Sequence, residues 1–110
     1  MFDGRDAVNK QEMAAILSEQ LARYRKRPYA ELRSMLESKQ VDTLEVKGPS
    51  GADYQIEILF VWDDKPLANI RVLGSIDENP HRPLLGFLPV YVSSVTDAFI
   101  LSPQGTFVGE

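Results

Sequence analysis

Acidic side chains cluster at predicted turns of this 110-residue chain. Asp63 and Asp64 follow one apolar run, Asp77 and Glu78 follow the next, and the single histidine, His81, lies three residues further on. Together they could form a hard-cation site, or His81 could act as a general base if a carboxylate oriented it. In neighbouring antiparallel strands, however, Asp63 and Asp77 would lie at opposite ends, about 20–25 Å apart at about 3.3 Å per residue. The spacing therefore favours separate, solvated turn acids, and no metal site is predicted.

Other catalytic signatures are weak or missing in the sequence. The chain has no cysteine, which excludes a thiol nucleophile, a thiolate metal site and a disulfide. Ser75 follows Gly74 without the second glycine of a nucleophile elbow. Residues 48–51, GPSG, lack the lysine and helix of a phosphate loop and are typical of a hairpin turn. We predict no catalytic residue and no cofactor; a small-molecule or metal-dependent enzyme that uses the acidic turns and His81 stays open as the alternative.

A cluster of cations lies where the two predicted helices meet. Arg23, Arg25, Lys26 and Arg27 are interleaved with tyrosines, a composition that can contact phosphates and stack bases. Cations also complement the dipole at a helix C-terminus, which explains this basic patch without any ligand. Because the formal net charge is −4, we do not expect nucleic acid as a partner. An acidic protein is the alternative partner for the basic patch.

Two amphipathic helices are predicted over residues 9–39. Asn9 and Glu12 fit a capping box, in which each side chain satisfies a backbone donor of the first turn. Apolar residues then recur at three- and four-residue steps, as a helix that packs on a core requires. Pro28 cannot continue this helix, but it suits the first turn of a second one, which we expect to end near Lys39.

From residue 43 onward the apolar period changes to two, which predicts a sheet over residues 43–110. Turn sequences divide it into four to six strands. Because no helical pattern separates them, we predict an α+β fold in which both helices pack on one face of an antiparallel meander. Gly74 indicates a bulge, and Pro89 indicates an edge strand or another bulge. The predicted core consists of Ile16, Leu17, Leu21, Leu32, Leu36, Leu44, Val46, Ile56, Ile58, Phe60, Ile70 and Val72.

Length and composition fit a single domain over residues 1–110, with a polar lead at residues 1–8. Hydrophobic residues make up 44% of the chain and charged residues 25%, as in ordinary globular proteins. The first six residues, MFDGRD, lack the basic and apolar segments of an export signal, and no apolar run reaches the roughly 20 residues that cross a bilayer. We therefore expect a cytoplasmic protein without a membrane partner.

A second group of apolar residues points away from the predicted core. If the strand registers hold, Leu59, Val61, Leu73, Phe87 and Tyr91 fall on the opposite face of the sheet. An uncovered patch of this kind usually marks a site for a partner. The sequence therefore favours a non-enzymatic interaction module that binds an unknown protein or a second copy of itself.

Short motifs along the predicted sheet carry a resemblance to known proteins. They are GPSG at 48–51, YQIE at 54–57, WDD at 62–64, GSID at 74–77 and FVGE at 107–110. With these motifs the chain resembles a family of small uncharacterised bacterial proteins, from the second predicted helix onward. The family has a shorter polar turn where this chain has residues 78–88. The resemblance implies a bacterial source, and it names no activity and no functional residue.

Overall fold

Two helices and four strands follow one another in the computed structural model, which describes residues 4–78 and 94–110. The helices are α1 (Gly4–Arg25) and α2 (Tyr29–Glu37), and the strands are β1 (Val41–Lys47), β2 (Asp53–Asp63), β3 (Asn69–Glu78) and β4 (Ser94–Leu101). The strands lie in the order β1-β2-β3-β4, and each neighbouring pair is antiparallel. The predicted α+β fold, with two N-terminal helices packed on an antiparallel meander, is confirmed.

The start of α1 differs from the prediction. The helix begins at Gly4, so the capping box at Asn9 is wrong. Glu12 lies inside the helix, and its carboxylate accepts hydrogen bonds from the backbone N–H and the hydroxyl of Ser50, at 2.9 and 2.7 Å. Pro28 is the N-cap of α2, one residue before the first turn in which the sequence predicts it. Within the described ranges, neither helix is long and apolar enough to cross a bilayer.

The core lies between the helices and one face of the sheet. α1 packs on β3 and β4, and α2 packs on β2 and β3. The helices contribute side chains at three- and four-residue steps, and the central strands contribute every second residue. These two sets of side chains pack together in one apolar layer. The buried apolar residues are Met13, Leu17, Leu21, Tyr24, Leu32, Tyr54, Ile56, Ile58, Phe60, Ile70, Val72, Ile76, Phe99 and Leu101.

Four residues of the predicted core lie at its margin. Leu44 pairs with Ile56 on the helix-covered face, yet 37% of its surface is exposed. Val46, Ile16 and Leu36 are half-buried and pack against the core. The physical reason for Leu44 and Val46 is that β1 is an edge strand, whereas the helices pack mainly on the other three strands.

Gly74 marks a close approach between layers, and the bulge predicted there is wrong. β3 pairs with both neighbours without interruption, and Gly74 lies opposite Ile58 on one side and Asp97 on the other. A Cβ atom at this position would lie 2.8 Å from Cδ1 of Leu17 and 3.3 Å from Cδ2 of Leu21. The missing side chain therefore lets α1 rest directly on the backbone of β3.

Gly74→Val is expected to destabilise the protein by about 1–3 kcal/mol, because its methyl groups would be forced into the contact between α1 and β3. The measurement is urea unfolding followed by circular dichroism. Ser75→Val is the matched control, since Ser75 is adjacent in the strand, half-exposed, and on the other face. It should change the free energy of unfolding by less than about 0.5 kcal/mol. Equal losses in both variants would contradict the close approach.

Candidate interaction surface

The sheet face opposite the helices carries a continuous apolar band. Strand register places Val41, Leu59, Leu73 and Ala98 side by side, one from each of the four strands. Two further apolar residues of this face lie two positions away along β2 and β4. We call these six residues the open-face band; they are Val41, Leu59, Val61, Leu73, Ala98 and Ile100.

Solvent reaches much of the open-face band. Val41 is 50% exposed, and Leu59 and Val61 are each 39% exposed. Leu73 and Ile100 are half-buried. Because strand residues alternate between faces, the same strands that fill the core from one side must present this second apolar set on the other. Exposed apolar residues that form one contiguous patch are typical of a contact surface.

Three residues of the predicted interaction patch lie in the open-face band. They are Leu59, Val61 and Leu73, whereas Phe87 and Tyr91 lie outside the described residues. The sequence reasoning missed Val41, because the first strand begins two residues earlier than predicted. It also missed Ala98 and Ile100, although their two-residue spacing in an apolar segment is a strand signal that would have found them.

Charged side chains lie around the open-face band and also within it, since Arg71 pairs in register with Val61 on one side and Ile100 on the other. Two ion pairs are formed there, Lys47 with Asp53 at 3.0 Å and Arg71 with Asp63 at 2.6 Å.

Three carboxylates of the open face form no ion pair with any described residue, namely Glu45, Glu57 and Asp77. Glu57 and Glu45 are exposed, and Asp77 is half-buried. This half of the open face is therefore negative, next to the apolar band.

The acidic turn residues do not meet in one site. Asp63 pairs with Asn69, at the start of β3, while Asp77 lies eight residues further along the same strand. Among residues 4–78 and 94–110, no group of three or more acidic or histidine side chains is arranged to hold a metal ion. His81 lies outside those ranges. The carboxylate of Asp63 is instead bound by Arg71.

The basic patch splits into packed and solvated residues. The Arg25 guanidinium lies 4.8 Å from the ring centres of both Phe99 and Phe107, and it pairs with the Glu110 carboxylate at 2.7 Å. Arg25 therefore joins the end of α1 to the C-terminal segment, a contact between elements remote in sequence.

The other members of the basic patch lie nearer to solvent. Arg27 stacks on Tyr24 at 4.7 Å and lies 3.6 Å from the Glu31 carboxylate. Arg23 and Lys26 are exposed. Packing and local pairing thus account for half of the basic patch, and two cations stay open to solvent.

A second candidate site lies where α1 meets the turn between β1 and β2. Besides the two bonds from Ser50, the Glu12 carboxylate accepts a hydrogen bond from the Tyr54 hydroxyl. A Cβ atom on Gly48 would lie 2.7 Å from Glu12 Oε2, so glycine is needed beside the carboxylate. An open groove of about 440 Å³ borders the cluster and is lined by Gln11, Glu12, Ala15, Ile16, Glu19 and Pro49.

The pKa values of Glu12 and Tyr54 suit a structural contact better than a catalytic one. Hydrogen bonds from Tyr54 and then Ser50 hold the pKa of Glu12 below its ordinary value. Burial and the bond to Glu12 raise the pKa of Tyr54 to about 12. A general base works best with a pKa near the operating pH, and here the acid is too strong and the phenol too weak. The cluster therefore fixes the hairpin to α1.

Comparisons of the chain with protein-family models, with curated proteins and with solved structures found no match. The resemblance to a family of small bacterial proteins therefore stays a prediction. The function is inferred below from the geometry and charges of the chain itself.

The fold should lose stability in alkali as two tyrosines ionise. Tyr24 donates a hydrogen bond to Asp42, and burial together with that bond raises its pKa to about 12, as for Tyr54. An unfolded tyrosine ionises near pH 10. The stabilisation that the two protonated tyrosines contribute is therefore complete below about pH 10 and is lost as the pH rises through about 12. Thermal melting and tyrosinate absorbance across this range measure the two effects.

Tyr54→Phe provides the control for the alkaline transition. It should remove one late-ionising tyrosine from the absorbance titration and, at neutral pH, lower the free energy of unfolding by about 1 kcal/mol through the lost hydrogen bond. If the folded wild-type protein ionised all its tyrosines near pH 10, the hydrogen-bonded arrangement would be wrong.

Val61→Lys should leave thermal stability nearly unchanged, within about 0.5 kcal/mol, because the side chain is substantially exposed and a lysine there can reach water. Ile58→Lys is the contrasting variant, since Ile58 is fully buried in the same strand on the other face. It should unfold the protein or cost more than about 4 kcal/mol. A large loss for Val61→Lys would show that the open face is covered.

Proposed function

We propose that the chain is a protein-interaction module whose docking surface is the open face of the sheet. The single observation that carries the proposal is the open-face band, in which Val41, Leu59 and Val61 present exposed apolar surface in one contiguous patch. Both helices pack on the opposite face. Covering such a patch removes apolar surface from water, which contributes a favourable free energy of about 25 cal/mol per Å².

The size of the open face fits a protein partner. Four strands with a spacing of about 4.8 Å, and central strands of about ten residues at about 3.3 Å each, give roughly 600 Å². A standard protein interface buries about 800 Å² on each side. An apolar centre with a polar and charged rim is the usual anatomy of such an interface. Here the open-face band is the centre, and the flanking acids and hydroxyls form the rim.

An enzyme that uses the acidic turns has less support. The carboxylate of Asp63 is engaged by Arg71, and Asp77 lies toward the other end of β3. Glu12, the carboxylate beside the groove, accepts three hydrogen bonds and is held in its ionised form. The Ser50 hydroxyl lies within hydrogen-bond distance of Glu12, at 2.7 Å, but a carboxylate with a lowered pKa is a weak general base.

Comparative capture from a native lysate tests the proposal. The baits are the full chain, the double variant Leu59→Lys/Val61→Lys and the matched control Ala14→Lys/Ala22→Lys, which adds the same charge on the exposed side of α1. We expect at least one protein to be retained by the wild type and the control and lost from the open-face variant, since a lysine in an apolar contact costs several kcal/mol.

Light scattering of the same three proteins on a sizing column completes the test. A wild-type dimer that becomes monomeric only in the open-face variant would support the module with a second copy as its partner. If all three baits capture the same proteins and all three run as monomers, the proposal is wrong.

A further inference from the structure

We infer that the partner of the open face presents apolar side chains directly beside two or three cations. This inference rests on the proposed function and names the chemistry of the partner. It follows from the position of the three carboxylates that form no ion pair in the described part of the chain, Glu45, Glu57 and Asp77.

The three carboxylates lie close enough to the open-face band for one partner to contact both. Glu57 is two residues from Leu59 along β2, which corresponds to about 7 Å. Glu45 and Asp77 flank Gln55 in the next row of the same face. Two strand spacings, or about 10 Å, separate them across the sheet. A partner segment whose apolar residues contact the open-face band therefore places its neighbouring side chains next to these carboxylates.

The other ionic groups of the open face do not neutralise this half. Lys47 is paired with Asp53, and Arg71, which lies between Val61 and Ile100 within the band, is paired with Asp63. A second copy of the chain is a poor partner, because its open face also carries more carboxylates than cations. Like charges brought together in an interface cost free energy, whereas a basic surface would gain it.

The exposed helices of a second copy do not supply the required pattern either. Their apolar stripe is buried against the sheet, with Met13, Leu17 and Leu21 in the core. The exposed cations Arg23 and Lys26 thus have no adjacent apolar stripe on α1 to enter the open-face band. A basic amphipathic segment of another protein has both features on one side.

Charges at the rim of an interface act on specificity and association rate more than on total affinity. Cations of the partner would be steered toward Glu45, Glu57 and Asp77, and the open-face band would then hold the complex. Three solvent-exposed ion pairs of ordinary strength together raise the affinity roughly tenfold. Salt should reduce this gain in affinity.

The test uses two labelled synthetic peptides as probes. Both have the same leucine stripe at helical spacing, and the residues beside the stripe are lysine in one and glutamate in the other. Binding to the full chain is measured by fluorescence anisotropy at low and at high salt. We expect the lysine peptide to bind roughly tenfold more tightly than the glutamate peptide at low salt, with the difference shrinking at high salt.

Matched variants separate a local effect from overall charge. Glu45→Gln/Glu57→Gln/Asp77→Asn should abolish the preference for the lysine peptide. The control Glu19→Gln/Glu31→Gln/Glu37→Gln removes three charges from the helices. It should change the preference by less than about twofold, because screened charges on the far side contribute little. Leu59→Ser/Val61→Ser should weaken binding of both peptides.

Each contrary outcome has a distinct meaning. Equal affinity for both peptides, or equal losses in the two charge variants, would overturn the inferred chemistry and leave the docking face in place if Leu59→Ser/Val61→Ser still weakens binding. Failure of the lysine peptide to bind would also overturn it. The proposed function would then be decided separately, by whether the open-face variant loses a captured protein or a dimer.

Discussion

The contact between α1 and the backbone of β3 decides which face of this sheet is covered. At Gly74 the strand has no side chain, and Leu17 and Leu21 occupy the space that a Cβ atom would need. The helix can therefore lie low on β3 and β4, where it buries every second residue of the central strands. One face of the sheet becomes the core through this contact, and the apolar residues of alternate positions are left on the other face.

Polar groups then hold the layers in one relative position. Three tyrosine hydroxyls each donate a hydrogen bond to a distant segment, from Tyr54 to Glu12, from Tyr24 to Asp42 and from Tyr29 to the carbonyl of Ala68. Directional bonds of this kind specify geometry more than they add net stability. Through these bonds the carboxylates of Glu12 and Asp42 are engaged by hydroxyls from remote segments of the chain.

The charged residues of the chain are also divided between two regions. Cations lie mainly at the helix junction, where Arg25 joins α1 to the C-terminal segment through two aromatic rings and Glu110. Carboxylates predominate on the open face, and three of them form no ion pair with a described residue. A face that is both apolar and acidic is complementary to a surface that is apolar and basic, and that complementarity is the basis of the inferred partner.

The sequence alone determined the fold class, because periods of 3.6 and 2 residues report directly which side chains face a core. The same alternation also placed Leu59, Val61 and Leu73 on the second face. Contacts between remote segments were decided only by the tertiary structure. Glu12 has the spacing of a helix cap, but its carboxylate binds Ser50. Gly74 was predicted to be a bulge, but it is a point of close packing between α1 and β3. Leu44 follows the apolar pattern of the core, but it lies in an edge strand and is partly exposed. Local sequence specifies what a residue can do, whereas its partner in space depends on how the layers pack.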